Sequence, residues 1–432
     1  MAGRTDARNV WYQLDNAARI FPAVSDERNT NVFRLTCEFV DNVDKVLLQK
    51  AVDQSLVHFP YFQVVLRRGL FWYYLERTTQ RPLVTLETRR PCDALFYSGQ
   101  KNLLFSVTYY RRRVNLEVFH AISDGSGAYQ FLRTIAYNYI RATYLLLKEP
   151  SALPPLDVEA SPAQQAEDSF QKYYDPSEKK SFFGEKAYHI GGTLLPRGSL
   201  RIIEGSVDTK EVLALAKSKG ATLTAYTAAL IICAIYDELM PKRAVNRPIR
   251  ATIPVDLRGH FGSATSRNFF TVVEVGYNFH GQPADFDAVL QSIVGQMKAA
   301  LTRENLAQRF NYTMSVQNNI FARPVPLVLK NFVLRMAYNQ GEAGTTFAIS
   351  NLGRITMPEL FSDYITGFAT LLNPTPFHRL KLAVTSYGSR LIFSFSTSIE
   401  ETQVQKSFFR HLTKNGLHVC ITSNEENRNE IL

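Results

Sequence analysis

From Asn31 onward the chain switches repeatedly between two hydrophobic periods, and that alternation limits its fold class more than any other feature. Asn31 to Val40 (NVFRLTCEFV) alternates apolar and polar residues as a half-buried strand does. Behind Asp44, a residue suited to cap a helix, Val46, Leu47, Ala51 and Leu56 recur at helical spacing until His58-Phe59-Pro60 breaks the run. PYFQVVLRRG and LFWYYLE read as strands joined at Arg68-Gly69, and Leu103 to Tyr110 pairs with Val114 to Phe119 around Arg111 to Arg113. The period then changes back: Phe131, Leu132, Ile135, Ala136, Tyr139 and Ile140 trace one face of a helix from about Ser126 to Leu147.

Residues 149 to 200 hold six prolines in a polar stretch without sustained period, which reads as a connection. Beyond it the same grammar resumes. Leu200 to Val207, Arg247 to Asp256, Phe269 to Tyr277 and Thr345 to Ser350 read as strands, and Leu380 to Ser386 with Arg390 to Ser396 as a hairpin. Asp208 caps a short helix; further helices run from Thr222 or Thr224 to about Leu239, from Asp285 to Arg303 and near Gln403 to Asn415. The expectation is an α/β protein of two similar-sized domains, 1–150 and 197–432, joined by 151–196.

Lys plus Arg number 49 against 39 acidic residues, a net charge of +10 that favours anionic partners without naming one. The basic residues fall in short scattered clusters, unlike a dedicated nucleic-acid face, so no nucleic acid partner is expected. Cys37, Cys92, Cys233 and Cys420 lie far apart and read as free thiols. The first residues mix charges of both signs with no apolar core, which argues against a secretory signal. The longest apolar run, Leu223 to Tyr236, is too short for a membrane span and reads as a buried core helix, so a cytoplasmic location is expected.

One segment carries chemistry. Val118 to Ala128 passes from strand to helix through His120, Asp124, Gly125 and Gly127. A strand end fixes the backbone of His120, the glycines permit close approaches, and Asp124 or Ser126 can cap the following helix. Imidazole is the side chain best matched to accept a proton near neutral pH.

His120 to Gly125 (HAISDG) resembles the HxxxDG signature of the CoA-dependent acyltransferase superfamily, which includes chloramphenicol acetyltransferase, peptide condensation domains, plant BAHD-type enzymes and alcohol acetyltransferases. Further segments agree in order: NTNVFR, HFPYF, IPVDLRGHF (Ile253 to Phe261), RNF (Arg267 to Phe269) and ISNLG (Ile349 to Gly353), the last resembling the segment that crosses between domains. The pattern is most similar to the alcohol acetyltransferase branch. The resemblance implies two chloramphenicol-acetyltransferase-like domains with mixed sheets and an active-site tunnel between them. His120 would be the general base that deprotonates an alcohol or amine for attack on an acyl-CoA thioester, the acyl group expected to be acetyl.

Asp124 would be structural and paired with an arginine, for which Arg258 is the first choice and Arg250 the second, because a buried carboxylate needs a partner. Ser350, Asn351 and Asn268 are candidates to stabilise the oxyanion. Acyl-CoA would be a co-substrate, with no permanently bound cofactor and no metal, and the protein a monomer.

Phe119 stands where many condensation domains have a second His, and the DFGWG segment of BAHD-type enzymes has no match, which tilts the reading away from both branches. The alternative is a condensation-domain-like protein taking a thioester from a carrier protein, or a non-catalytic relative that binds a partner in the same cleft. No HExxH, zinc spacing, GxSxG or phosphate loop is present. His58 reads as a helix-end residue, and His411 and His418 as surface residues.

Overall fold

The computed structural model describes residues 10–144, 160–177, 185–240, 246–319 and 324–425. In chain order the first part holds β1 (Trp11–Gln13), the helical turn α1 (Phe21–Val24), β2 (Val32–Phe39), α2 (Lys45–His58), the hairpin β3 (Val64–Arg68) and β4 (Tyr73–Arg77), β5 (Thr85–Leu86), the hairpin β6 (Phe105–Tyr110) and β7 (Arg113–Phe119), and α3 (Gly125–Tyr144). Next come the single turns α4 (Pro162–Gln165) and α5 (Ser169–Lys172), β8 (Arg201–Asp208), α6 (Thr209–Ser218), α7 (Leu223–Glu238), β9 (Ile249–Asp256), the turn α8 (Arg258–Phe261) and β10 (Phe270–Tyr277). The remainder is α9 (Phe286–Ala300), α10 (Arg303–Gln317), α11 (Leu327–Glu342), β11 (Phe347–Ile355), β12 (Ile365–Leu372), β13 (Leu380–Tyr387), β14 (Arg390–Thr397), α12 (Gln403–Lys414) and β15 (Cys420–Ser423).

The strands form a mixed five-stranded sheet, β12-β2-β7-β6-β5, a mixed seven-stranded sheet, β10-β9-β11-β13-β14-β8-β15, and a small antiparallel sheet, β1-β4-β3. This is a mixed α/β architecture in two parts, with one hydrophobic core under each large sheet. Local chemistry accounts for the helix starts. Asp44 accepts from the amides of Val46 and Leu47, Asp208 from those of Lys210 and Glu211, Thr222 from Ala225 and Asp285 from Ala288. The middle of α7, Ala225 to Ile235, is largely apolar on all sides because it is buried on all sides. No single helix among the described residues is long and apolar enough to cross a membrane.

Several elements differ from the sequence reading. The segment that crosses to the first sheet is β12, paired antiparallel with β2, while Ile349 to Gly353 stays within β11 of the second sheet. Strand β12 ties the sheets together: Thr370 meets the Thr385 hydroxyl of β13 at 3.0 Å, and the Ser396 hydroxyl of β14 donates to the Leu372 carbonyl. Helices α10 and α11 fill a stretch in which no element was expected. Strand β3 begins at Val64 because Pro60–Phe62 form a 3-10 turn. Val46, assigned to the apolar stripe of α2, faces solvent, and His411 is half-buried with its Nε2 3.1 Å from the Tyr226 hydroxyl. Residues 145–147 of the expected helix lie outside the described residues. Residues 160–177 of the proline-rich stretch are packed: Phe170 joins the second core, and the Gln165 carbonyl accepts from the Thr265 hydroxyl and the Ser266 amide.

Candidate active site

The backbone of His120 is set by its neighbours before its ring is considered. Its N–H donates to the carbonyl of Asn31 at 2.9 Å, and Asn31 adopts the left-handed conformation (φ 51°) that asparagine tolerates better than most residues. The imidazole is half-buried, stacked on Phe21 with ring centroids 4.6 Å apart, edge-on to Phe33 at 5.1 Å and tilted against Phe270 at 5.4 Å. Burial in this aromatic setting pushes its pKa below the ordinary histidine value, and the Lys381 ammonium adds to that effect against the pull of Asp124 and Asn268.

A hydrogen-bond chain selects the tautomer. Asn268 sits between α8 and β10, and its Nδ2 donates to the His120 carbonyl at 3.0 Å and to Asp15 Oδ2 at 3.3 Å. The His120 carbonyl can only accept, so the amide must present Oδ1 to His120 Nδ1, 3.0 Å away. Nδ1 therefore carries the proton and Nε2 the lone pair, and Nε2 has no hydrogen-bond partner among the described residues.

Asp15 is fully buried, its other oxygen accepting from the Ala18 amide. Its pKa is pushed up to about 6 by burial, against the opposing charge of Arg267, while Asp168 raises it further. Arg267 is held in turn by the Gln13 carbonyl at 2.5 Å and lies over the Tyr61 ring.

The turn behind the imidazole is locked by a second network. Asp124 Oδ1 accepts from the Gly127 amide at 3.0 Å and from Arg258 Nη2 at 2.9 Å, and Oδ2 from the Phe269 amide at 2.8 Å. Arg258, only 8% exposed, also donates to Asp256 Oδ1 and to the carbonyls of Thr265 and Arg267. The RNF segment thus serves both networks: the Arg267 carbonyl receives Arg258, Asn268 orients His120, and the Phe269 amide caps Asp124. Arg250 points elsewhere, to the side chain and carbonyl of Glu185.

Glycine at 127 follows from this crowding. A Cβ there would lie 2.1 Å from the Ser266 carbonyl oxygen and 2.5 Å from Ser123 Oγ. Gly127→Ala is expected to cost about 1–3 kcal/mol through overpacking against fixed backbone. A melting temperature equal to wild type would show that the α3 terminus relaxes freely.

The oxyanion candidates separate. Asn268 has both amide hydrogens committed to Asp15 and His120. Asn351 is tied locally, its Nδ2 to Thr224 Oγ1 and its Oδ1 to the Gly353 amide. Phe347 and Ile349 of β11 face the second core, so Ser350 falls on the opposite face with Ala348 and Leu352. That face meets the HAISDG turn: a Cβ on Gly125 would lie 2.6 Å from Leu352 Cδ2.

Phe119 is buried and stacked on Phe96. A cavity of about 350 Å³ lies beside the Phe21–Asn31 segment, its walls including Pro22, Thr30, Arg68, Tyr73, Asn331 and Arg335.

Two residues were missed from sequence. Asp15 gave a weak signal, an acid between residues that both prove buried, Leu14 and Ala18. Lys381 lies on the face of β13 opposite Leu380 and Leu382, which sit in the second core, so its side chain points away from that core. Burial pushes its pKa down.

No family model and no curated protein matches the sequence. Among solved structures the chain is similar to the first condensation domain of the CDA synthetase, at 14% identity and a TM-score of 0.60 over 94% of this chain and 96% of that one. It is similar to F. sporotrichioides TRI101 complexed with coenzyme A and T-2, at 8% identity and a TM-score of 0.60 over 94% and 99% of the chains. Polyketide synthase associated protein 5 from Mycobacterium tuberculosis aligns at 13% identity and a TM-score of 0.59 over 93% and 97%. The chain has the fold shared by these solved structures.

Proposed function

From that fold and this site, we propose that the protein is an acyl-CoA-dependent O- or N-acyltransferase of the alcohol acetyltransferase kind, with His120 as general base. The observation that carries the reading is the 3.0 Å contact between Asn268 Oδ1 and His120 Nδ1, which favours the tautomer that leaves Nε2 as the acceptor in an aromatic pocket. An alcohol or amine placed at Nε2 gives up its proton as its oxygen or nitrogen attacks the thioester carbonyl. The new C–O or C–N bond produces a tetrahedral oxyanion, for which the Ser350 hydroxyl is the proposed donor. Collapse breaks the C–S bond, and the proton held on Nε2 passes to the departing thiolate. Asp124 and Arg258 fix the turn that aims the ring and do not touch substrate.

The test is thiol release from acetyl-CoA with a panel of alcohols and amines, run in parallel with an acyl-pantetheine donor. Acceptor-dependent release from acetyl-CoA supports the proposal; release from the pantetheine donor alone replaces CoA by a carrier-bound thioester. No acceptor-dependent release from either removes the catalytic reading.

Asp15 acts one step behind. Asp15→Asn substitutes a donor for one of the two acceptors that hold the Asn268 amide, which weakens the imposed orientation. We expect kcat to fall roughly ten- to hundredfold with KM little changed. The fraction of His120 protonated on Nε2, read from ring ¹⁵N shifts, is expected to rise. An unchanged tautomer ratio would contradict the role given to Asp15.

A further inference from the structure

Helix α11 turns its apolar stripe outward. Leu327, Asn331 and Tyr338 lie on its inner side: Leu327 is buried, the Asn331 amide donates to the Tyr73 hydroxyl, and the Tyr338 hydroxyl accepts from Asn29. Leu329, Phe332, Val333 and Met336, at i, i+3, i+4 and i+7, are 58–64% exposed. An amphipathic helix packed on a core shows the reverse arrangement.

The β3–β4 turn extends the same patch. The Leu70 carbonyl accepts from the Leu327 amide at 2.9 Å, the Phe71 carbonyl accepts from Lys330 Nζ at 2.9 Å, and Leu70 and Trp72 are both more than half exposed. Nothing among the described residues covers this surface, and a contiguous exposed apolar patch of this kind marks an interaction site.

Charge selects the occupant. Arg68 and Arg335 line the cavity with Asn331, and Lys330 lies on the same helix, its pKa lowered by burial and further by the Arg19 charge. The acids nearby, Asp26 and Glu27, stand on that same cavity, and the whole chain carries +10. A two-fold pairing of this face with itself would bring like charges together. An anionic bilayer satisfies both features, taking the apolar side chains at the acyl boundary and the cations among the headgroups.

We propose that α11 and the β3–β4 turn form a peripheral docking surface for an anionic lipid bilayer. Docked so, the cavity bounded by Asn331 and Arg335 opens at the lipid surface, beside the segment whose Phe21 stacks on His120. The docking does not depend on the acyltransfer reading.

The full chain is sedimented with phosphatidylcholine vesicles, with and without phosphatidylserine. Wild type is expected to partition onto the anionic vesicles and to release as salt rises. The double variant Phe332→Ser, Met336→Ser is expected to lose binding by roughly tenfold or more. Val46→Ser, on an exposed apolar residue of α2, is expected to bind as wild type. Trp72 is one of only two tryptophans, so brominated acyl chains in the vesicles are expected to quench fluorescence in wild type and not in the double variant. Absence of binding by wild type, or equal binding by a folded double variant, overturns the proposal. So does a wild-type dimer that the double variant converts to monomer without any vesicle binding, which would assign the face to a second copy.

Discussion

Replacing His120 by alanine is expected to slow acceptor-dependent thiol release by a factor of roughly 10²–10⁴, the contribution typical of a positioned base. The fold should survive. The ring is only half-buried, and the hydrogen bond from the His120 amide to Asn31, like the one from Asn268 to its carbonyl, involves the backbone and persists in alanine. The loss therefore belongs to kcat, and the melting temperature should shift little. Turnover equal to wild type in a folded variant would remove His120 from the chemistry.

Replacing Arg258 by leucine is expected to act through stability instead. Its guanidinium serves Asp124, Asp256 and the carbonyls of Thr265 and Arg267, all with hydrogen bonds of 2.6–2.9 Å. Leucine would leave the Asp124 carboxylate buried without its counter-charge and two carbonyls without donors. Breaking a buried pair in this way costs about 3–5 kcal/mol. Arg258→Lys should recover only part of that loss, because one ammonium cannot reach four acceptors spread around a planar fork. A chemical denaturation midpoint unchanged in Arg258→Leu would show that the pair is not what holds the turn.

The residues of the HAISDG turn were legible because their chemistry is local. Strand period, motif spacing and glycine placement put His120 and Asp124 at a strand-to-helix corner, and the family resemblance implied an arginine partner for Asp124. Asn268 and Asp15 were not legible in their observed places: 148 residues separate Asn268 from His120 and 253 separate it from Asp15, and only the folded chain brings them together.

Strand β12 escaped notice for a related reason, since its partner β2 lies at the other end of the chain. Helix α11 did carry a helical signal, Leu329, Phe332, Val333 and Met336 at i, i+3, i+4 and i+7, but that stripe faces outward, so it reports the surface on which the bilayer proposal rests and not a core contact.

The pH dependence of kcat/KM for thiol release tests the central claim most directly. In the proposed base role the neutral imidazole is the active form, and burial lowers its pKa, so the rate is expected to be at its plateau above that lowered value and to fall as pH drops through it. The predicted result is an acidic limb centred below the ordinary histidine pKa of about 6.5, with the residual rate of His120→Ala flat over the same range. An identical acidic limb in the alanine variant would contradict the account.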